Sequence, residues 1–214
     1  MPSDDLLKSL GLDPLLAGEP FRRDATGQFC DPAGNPVVLV GAESSRGLHR
    51  VLEAEQAGAW NEAMRHCGQR SGERLAQGID AALAKLGQPA LPALPLEACL
   101  ALLSHSFAVY GWGRIRFELE DAAEHGFVVA RLENGFTTAV LEGVDGFVDG
   151  MIAGVLTAFF THITGQVVGC EEIACVRGGA PHCVFVIAAP DRITVIQPHL
   201  GREAADAILN RLRR

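Results

Sequence analysis

Basic charge is scarce in this chain. Its 18 lysines and arginines are outnumbered by 26 aspartates and glutamates, giving a formal net charge of −8. A surface of that sign does not attract phosphate backbones, which excludes a general affinity for nucleic acid. The arginines that cluster, Arg211, Arg213 and Arg214, fall at the end of an expected helix and there complement its dipole. Long apolar runs are missing as well. The longest, near residues 151–160, is interrupted by Gly154 and is too short to span a bilayer. The opening Met1-Pro2-Ser3-Asp4-Asp5 is acidic where a secretory leader would be basic, so a cytoplasmic protein is the expectation.

Cofactor signatures are also lacking. No Gly-x-Gly-x-x-Gly follows a strand and no Cys-x-x-Cys occurs, which leaves neither a dinucleotide fingerprint nor a ligand set for an iron–sulfur cluster. Gly68-Gln69-Arg70-Ser71-Gly72 is not a phosphate loop, because no lysine follows it and it lies inside a helical pattern. The six cysteines are irregularly spaced. In a reducing compartment they read as free thiols or metal ligands more readily than as disulfides.

What is present suffices for a folded globular protein: 214 residues, 48% of them hydrophobic. Residues 3–17 carry Leu6, Leu7, Leu10, Leu15 and Leu16 behind a capping Ser3 or Asp4, the pattern of a short helix or arm. Asp31-Pro32-Ala33-Gly34-Asn35 is a turn by composition, followed by a short strand over 36–40. Helical periodicity runs through 44–86, where Gly68 and Gly72 imply close backbone packing or a kink. Prolines at 89, 92 and 95 mark a linker, and helix resumes over 96–110. Strands follow at 113–120, alternating Ile115, Phe117 and Leu119 with Arg114, Arg116 and Glu118, and at 126–133. A broad apolar stripe makes 144–163 a buried helix. Strand-like runs flank 175–183, a further strand is expected at 193–196, and a polar-faced helix at 202–212. The order implies an α+β fold with a largely antiparallel sheet. The divisions are an arm at 1–43, a helical region at 44–88, a linker at 89–95, a core at 96–198 and a final helix at 199–214, together one compact domain.

The richest stretch is 165–186. It holds Cys170, Cys175 and Cys183, the pair Glu171 and Glu172, and His182, around a Gly178-Gly179 turn. Two readings compete: a hairpin whose cysteines are small core residues, or a hairpin that holds a metal. Glu172 and Cys175 are three apart, so strict alternation points them to opposite faces, and a bulge or strand end is needed to bring them to one ion. Cys170 and His182 are spare donors.

With these residues placed after a strand pair and a helix, the carboxyl-terminal half resembles the 4-vinyl reductase domain family. The shared pattern is a helix ending in glycine (Gly165), Glu172-Ile173-Ala174-Cys175, Gly178-Gly179 and then Cys183, and the glycine-bearing helix at 59–72 is similar to the one that precedes the family's core. Members include a stand-alone bacteriochlorophyll-biosynthesis protein, nearest in size to this chain, and sensor domains of phenol-responsive activators; vesicle-tethering subunits are related in fold. The resemblance implies a structural zinc held by Glu172, Cys175 and Cys183. A cysteine of the preceding helix completes the family's set; here that position is Asp149, which can ligate through oxygen and makes a harder site.

The resemblance also implies a hydrophobic ligand, for which a tetrapyrrole precursor of bacteriochlorophyll is the expected choice, carried by a protein that forms a homodimer. An apolar chamber between the 144–163 helix and the strands would use His105, Trp112, Phe127, Phe159 and His162, although aromatics at these spacings also serve as plain core. Activity as a divinyl-chlorophyllide 4-vinyl reductase would need an external reductant. A scaffold or sensor without catalysis is the other alternative.

Overall fold

The computed structural model describes residues 2–12, 15–16, 21–31, 34–141 and 143–214. Pro32 and Ala33, the centre of the expected turn, and parts of the 3–17 arm lie outside the described residues. Helix α1 (Pro2–Ser9) is followed by a small antiparallel meander of β1 (Arg22–Arg23), β2 (Phe29–Cys30) and β3 (Pro36–Val37). The helical region is two helices, α2 (Ala42–Glu55) and α3 (Ala59–Lys85), separated at Gly58, which adopts φ 83°. Such a left-handed turn favours glycine and ends the periodicity that the sequence shows as continuous.

The proline-rich 89–95 stretch is not a free linker. It forms a short 3-10 turn over Leu91–Ala93 in which Leu91 is fully buried and donates its N–H to Asp80 of α3 (2.7 Å). Helix α4 (Leu96–Val109) leads into β4 (Arg114–Glu118), a one-turn α5 (Ala122–His125) and β5 (Phe127–Glu133). Asn134, in the left-handed region at φ 55°, turns the chain into α6 (Phe136–Val140), and α7 (Gly150–Thr164) crosses back over the sheet. Strands β6 (Gly169–Ala174) and β7 (Cys183–Ala188) complete an antiparallel sheet of order β4-β5-β7-β6.

The expected strand at 193–196 is helix α8 (Pro190–Ile196). Pro190 opens it at the first helical turn, and Ile193 and Ile196, three apart, share its buried face while Val195 is exposed. Short apolar runs fit either period, and here the proline decides. Helix α9 (Ala205–Leu212) closes the chain.

The sheet separates two cores. Ala130, Leu132, Phe185 and Ile187 face α3, α4 and α7, whereas Phe127, Val129, Val184 and Val186 face α8 and α9. Helix α3 packs against α7 more extensively than any other two helices pack together, through glycines on both sides. Gly68 and Gly72 of α3 meet the backbone of Met151 and Val155, while Gly150 and Gly154 of α7 meet the backbone of Asn61 and Arg65. With no Cβ at the crossing, the two backbones touch.

Candidate metal centre and aromatic layer

Helix α7 begins at Gly150, later than the apolar stripe suggests, because α3 holds the preceding residues in a loop. Asn61 donates to the Phe147 carbonyl and accepts from the Gly150 N–H (3.0 Å), and the Trp60 indole donates to the Val148 carbonyl (3.1 Å). Asp149 therefore stands at the N-cap of α7, but its side chain makes no capping hydrogen bond. It is fully buried and points at the sheet, among Glu172, Cys175 and Cys183.

Strand β6 brings Glu172 and Cys175 to the same point by a bulge. Its pairing with β7 runs Glu172↔Phe185 and then Ala174↔Val184, so Ile173 is the extra residue. Ile173 packs towards α8 and α9, and Cys175, one residue past the strand end, returns to the α7 side. Cys183 opens β7 across from it, with the two sulfurs 3.5 Å apart. One donor atom from each of Asp149, Glu172, Cys175 and Cys183 lies within 4.8 Å of the other three. Cys170 and His182, the spare donors, are outside this group. Cys170 is buried on the same face of β6, its thiol pushed far up by burial, and His182 is half-buried just before β7.

The electrostatics are those of acids without enough partners. All four side chains are between 0% and 4% exposed. Glu172 Oε2 accepts from the Asp149 N–H (3.2 Å), but Glu172 Oε1 and both Asp149 carboxylate oxygens have no hydrogen-bond partner. Burial, followed by the Asp149 charge beside it, pushes Glu172 up to about 10, and burial also raises Asp149. The Cys183 thiol, donating to the Cys175 sulfur, lowers Cys175 to about 6 and is itself raised. Unpaired buried carboxylate oxygens are costly, and a divalent cation would neutralise all of them together. Two thiolates and two carboxylates, four donors from a closed and dry site, fit a tetrahedral ion such as zinc. The cluster can hold a metal.

Sequence spacing singles out these four residues but not their supports. Thr137, buried beside Asp149, and Asn61 and Trp60, which fix the loop before α7, have no local signature, because their partners lie far away in the chain.

The expected chamber residues do not converge. Phe159 is buried on the α7 side of the sheet, while Phe127 is on the opposite face against α8 and α9. Trp112 stacks on Tyr110 (centroids 5.0 Å apart, 26° between planes) and meets the edge of Phe107 at 5.3 Å. His162 is bound to Asp80 of α3 (2.7 Å), and His105 is half-buried on α4. Phe107, Trp112, Phe117, Phe159 and Phe160 form an aromatic layer between α4, β4 and α7. Two surface depressions, of about 490 and 470 Å³, lie elsewhere, on β2–β3 and beside Arg70 and Arg74 of α3.

The fold and cluster define a class: an α+β domain in which a bulged hairpin and a helix N-terminus close on a buried two-thiol, two-carboxylate group. Residues 128–189 match the model of the 4-vinyl reductase domain family, and the chain carries a domain of that family. Among solved structures, the phenol-responsive sensory domain of the transcription activator PoxR, determined with phenol, is similar over 98% of this chain and 96% of its own, at 20% identity and a TM-score of 0.60. A vinyl-4-reductase family protein from Methanocaldococcus jannaschii matches 71% of this chain and 82% of its own, at 16% identity and a TM-score of 0.44. A trafficking protein particle complex subunit 3 from Naegleria fowleri, covalently bound to palmitic acid, matches 69% and 91%, at 16% identity and a TM-score of 0.45. No curated protein sequence matches the chain. No helix among the described residues is long and apolar enough to cross a membrane.

Proposed function

We propose that this 4-vinyl reductase domain protein is a binding module: it holds a structural zinc through Asp149, Glu172, Cys175 and Cys183 and takes up a hydrophobic small molecule. The observation that carries the metal half is the set of buried carboxylate oxygens that only a cation would satisfy. When bound, the ion would join the N-terminus of α7 to the β6–β7 hairpin. Its role is to fix fold, since all four donors are used and none is left for substrate.

The ligand half is supported by the aromatic layer next to that clasp and by the fold shared with the phenol-responsive sensory domain. The layer is closely stacked, which favours a compact aromatic molecule that displaces side chains. The family resemblance points instead to a tetrapyrrole, with the protein as carrier or accessory factor in bacteriochlorophyll biosynthesis. Titration of the untagged protein with phenol and with a divinyl chlorophyllide, read by Trp112 emission and native mass spectrometry, separates the two. Saturable one-to-one binding of either supports the reading, and binding of neither ends it. Elemental analysis tests the zinc: content far below one equivalent, or content unchanged in a Cys175→Ser/Cys183→Ser variant, rejects it. We also propose a cytoplasmic homodimer, supported by exposed Val38, Leu39, Val40 and Val51, with light scattering as its test.

A further inference from the structure

Cys175 and Cys183 are cross-strand neighbours. Ala174 pairs with Val184, so the next residue outward on each strand sets Cys175 opposite Cys183, with sulfurs 3.5 Å apart. Opposed residues of antiparallel strands have Cα separations of roughly 4.5–5.5 Å, within the roughly 4.4–6.8 Å that a disulfide spans. They are also the only sulfur donors of the four-residue cluster, whose other members are carboxylates. The connection between them, the 3-10 turn Val176–Gly178 and Gly179, buries no residue. It can open locally without disturbing the sheet.

We propose that Cys175 and Cys183 form a reversible dithiol–disulfide couple, and that closing the disulfide empties the metal centre by removing both thiolates together. This rests on the reading of the cluster as a zinc site. The oxidant is a small hydroperoxide that reaches the sulfurs when the turn opens. The Cys175 sulfur attacks one peroxide oxygen and breaks the O–O bond; the Cys175 proton leaves with the departing oxygen, as water from hydrogen peroxide. The sulfenic acid so formed is attacked by the Cys183 sulfur; the S–S bond forms and the hydroxyl departs with the Cys183 proton as a second water. Two thiols have lost two electrons and two protons, and the peroxide has accepted them. A site with a third thiolate would retain one sulfur ligand after this step. Here Asp149 occupies that position, so oxidation leaves two carboxylates, a hard pair poorly suited to zinc.

The test uses the untagged, zinc-loaded full chain treated with hydrogen peroxide. Zinc release is followed with a chromogenic chelator, and the products are mapped by trypsin without reduction. Trypsin cuts after Arg177, between the two cysteines, so the disulfide appears as two joined peptides. A Cys170→Ser variant leaves Cys175 as the one cysteine on the first of them. Joined peptide and free zinc are expected to rise in step, and a dithiol reductant with added zinc to reverse both. Zinc release with Cys175 and Cys183 carried to separate sulfinic acids overturns the couple, as does oxidation of exposed Cys67 with no joined peptide. The zinc content before oxidant judges the metal reading separately. In a chain isolated without metal, the joined peptide still decides whether the couple exists.

Discussion

Gly72 of α3 lies so close to Val155 of α7 that a Cβ added to it would stand 2.7 Å from the Val155 carbonyl oxygen and 2.9 Å from the Ala158 methyl. The obstacle is backbone, which cannot swing aside as a flexible side chain would. A Gly72→Ala chain gains about 1 kcal/mol of helix propensity but must separate the two helices, at a cost of about 1–3 kcal/mol or more. The clash wins. Gly47 of α2 is the control: a methyl added there would meet nothing within 4 Å, so Gly47→Ala should stabilise by up to about 1 kcal/mol. Urea unfolding of both variants checks the pair. Equal effects would mean that the α3–α7 crossing is looser than its glycines indicate.

Asp149 gives the second prediction, because it occupies the cluster position at which a thiolate would bind zinc more tightly. Asp149→Cys should raise zinc affinity, and Asp149→Asn should lower it by about 10–100-fold or more, since loss of even an outer partner of a ligand costs that much. Chelator competition measures both, and cobalt substitution reports the added sulfur as a stronger thiolate-to-metal charge-transfer band. If Asp149→Asn binds zinc as the parent does, Asp149 is not a ligand. Its burial without a hydrogen bond to either oxygen would then stand unexplained.

How these sites were legible in the sequence differs from residue to residue. The i, i+3 spacing of Glu172 and Cys175 demands a bulge if both serve one ion, and the bulge is there at Ile173. The glycines at 68 and 72 announce close packing, and the structure supplies Met151 and Val155 as what they pack against. Periodicity failed where tertiary contacts override it. Helix α7 starts at Gly150 because Trp60 and Asn61 claim the carbonyls of Val148 and Phe147 from some 86–88 residues away. Alternation shows that Phe127 and Val129 share a face but not which layer covers it, and that layer includes α8, itself readable as a strand until Pro190 is given its weight.

Asp80 is the third prediction. Its two oxygens join three elements: Oδ1 accepts the buried Leu91 N–H and Oδ2 meets His162 of α7, each at 2.7 Å. Asp80→Ala leaves the Leu91 N–H without a partner and should cost about 1–3 kcal/mol. Asp80→Asn keeps an acceptor for Leu91 and should recover most of that loss. Denaturant unfolding compares them. If both variants lose the same amount, the His162 contact dominates and the proline-rich turn contributes little.

The fourth prediction concerns pH and separates the metal-free cluster from the loaded one. Without metal, burial and the neighbouring Asp149 charge raise Glu172 from 4.5 to about 10, and burial raises Asp149 from 3.8. Between the unfolded and folded values the native state holds more protons than the unfolded chain. The stabilisation is therefore complete below about pH 4 and is lost as pH rises towards the folded pKa, by up to about 1.4 kcal/mol per unit for each group. Zinc reverses the slope, because its ligands bind as thiolates and carboxylates and protons compete with it. Chelated protein should lose stability from about pH 5 to about pH 8, while zinc-loaded protein gains it over the same range. Guanidinium unfolding midpoints at matched ionic strength measure both slopes. Parallel slopes would show that the ion, where present, is not held by Glu172 and Asp149.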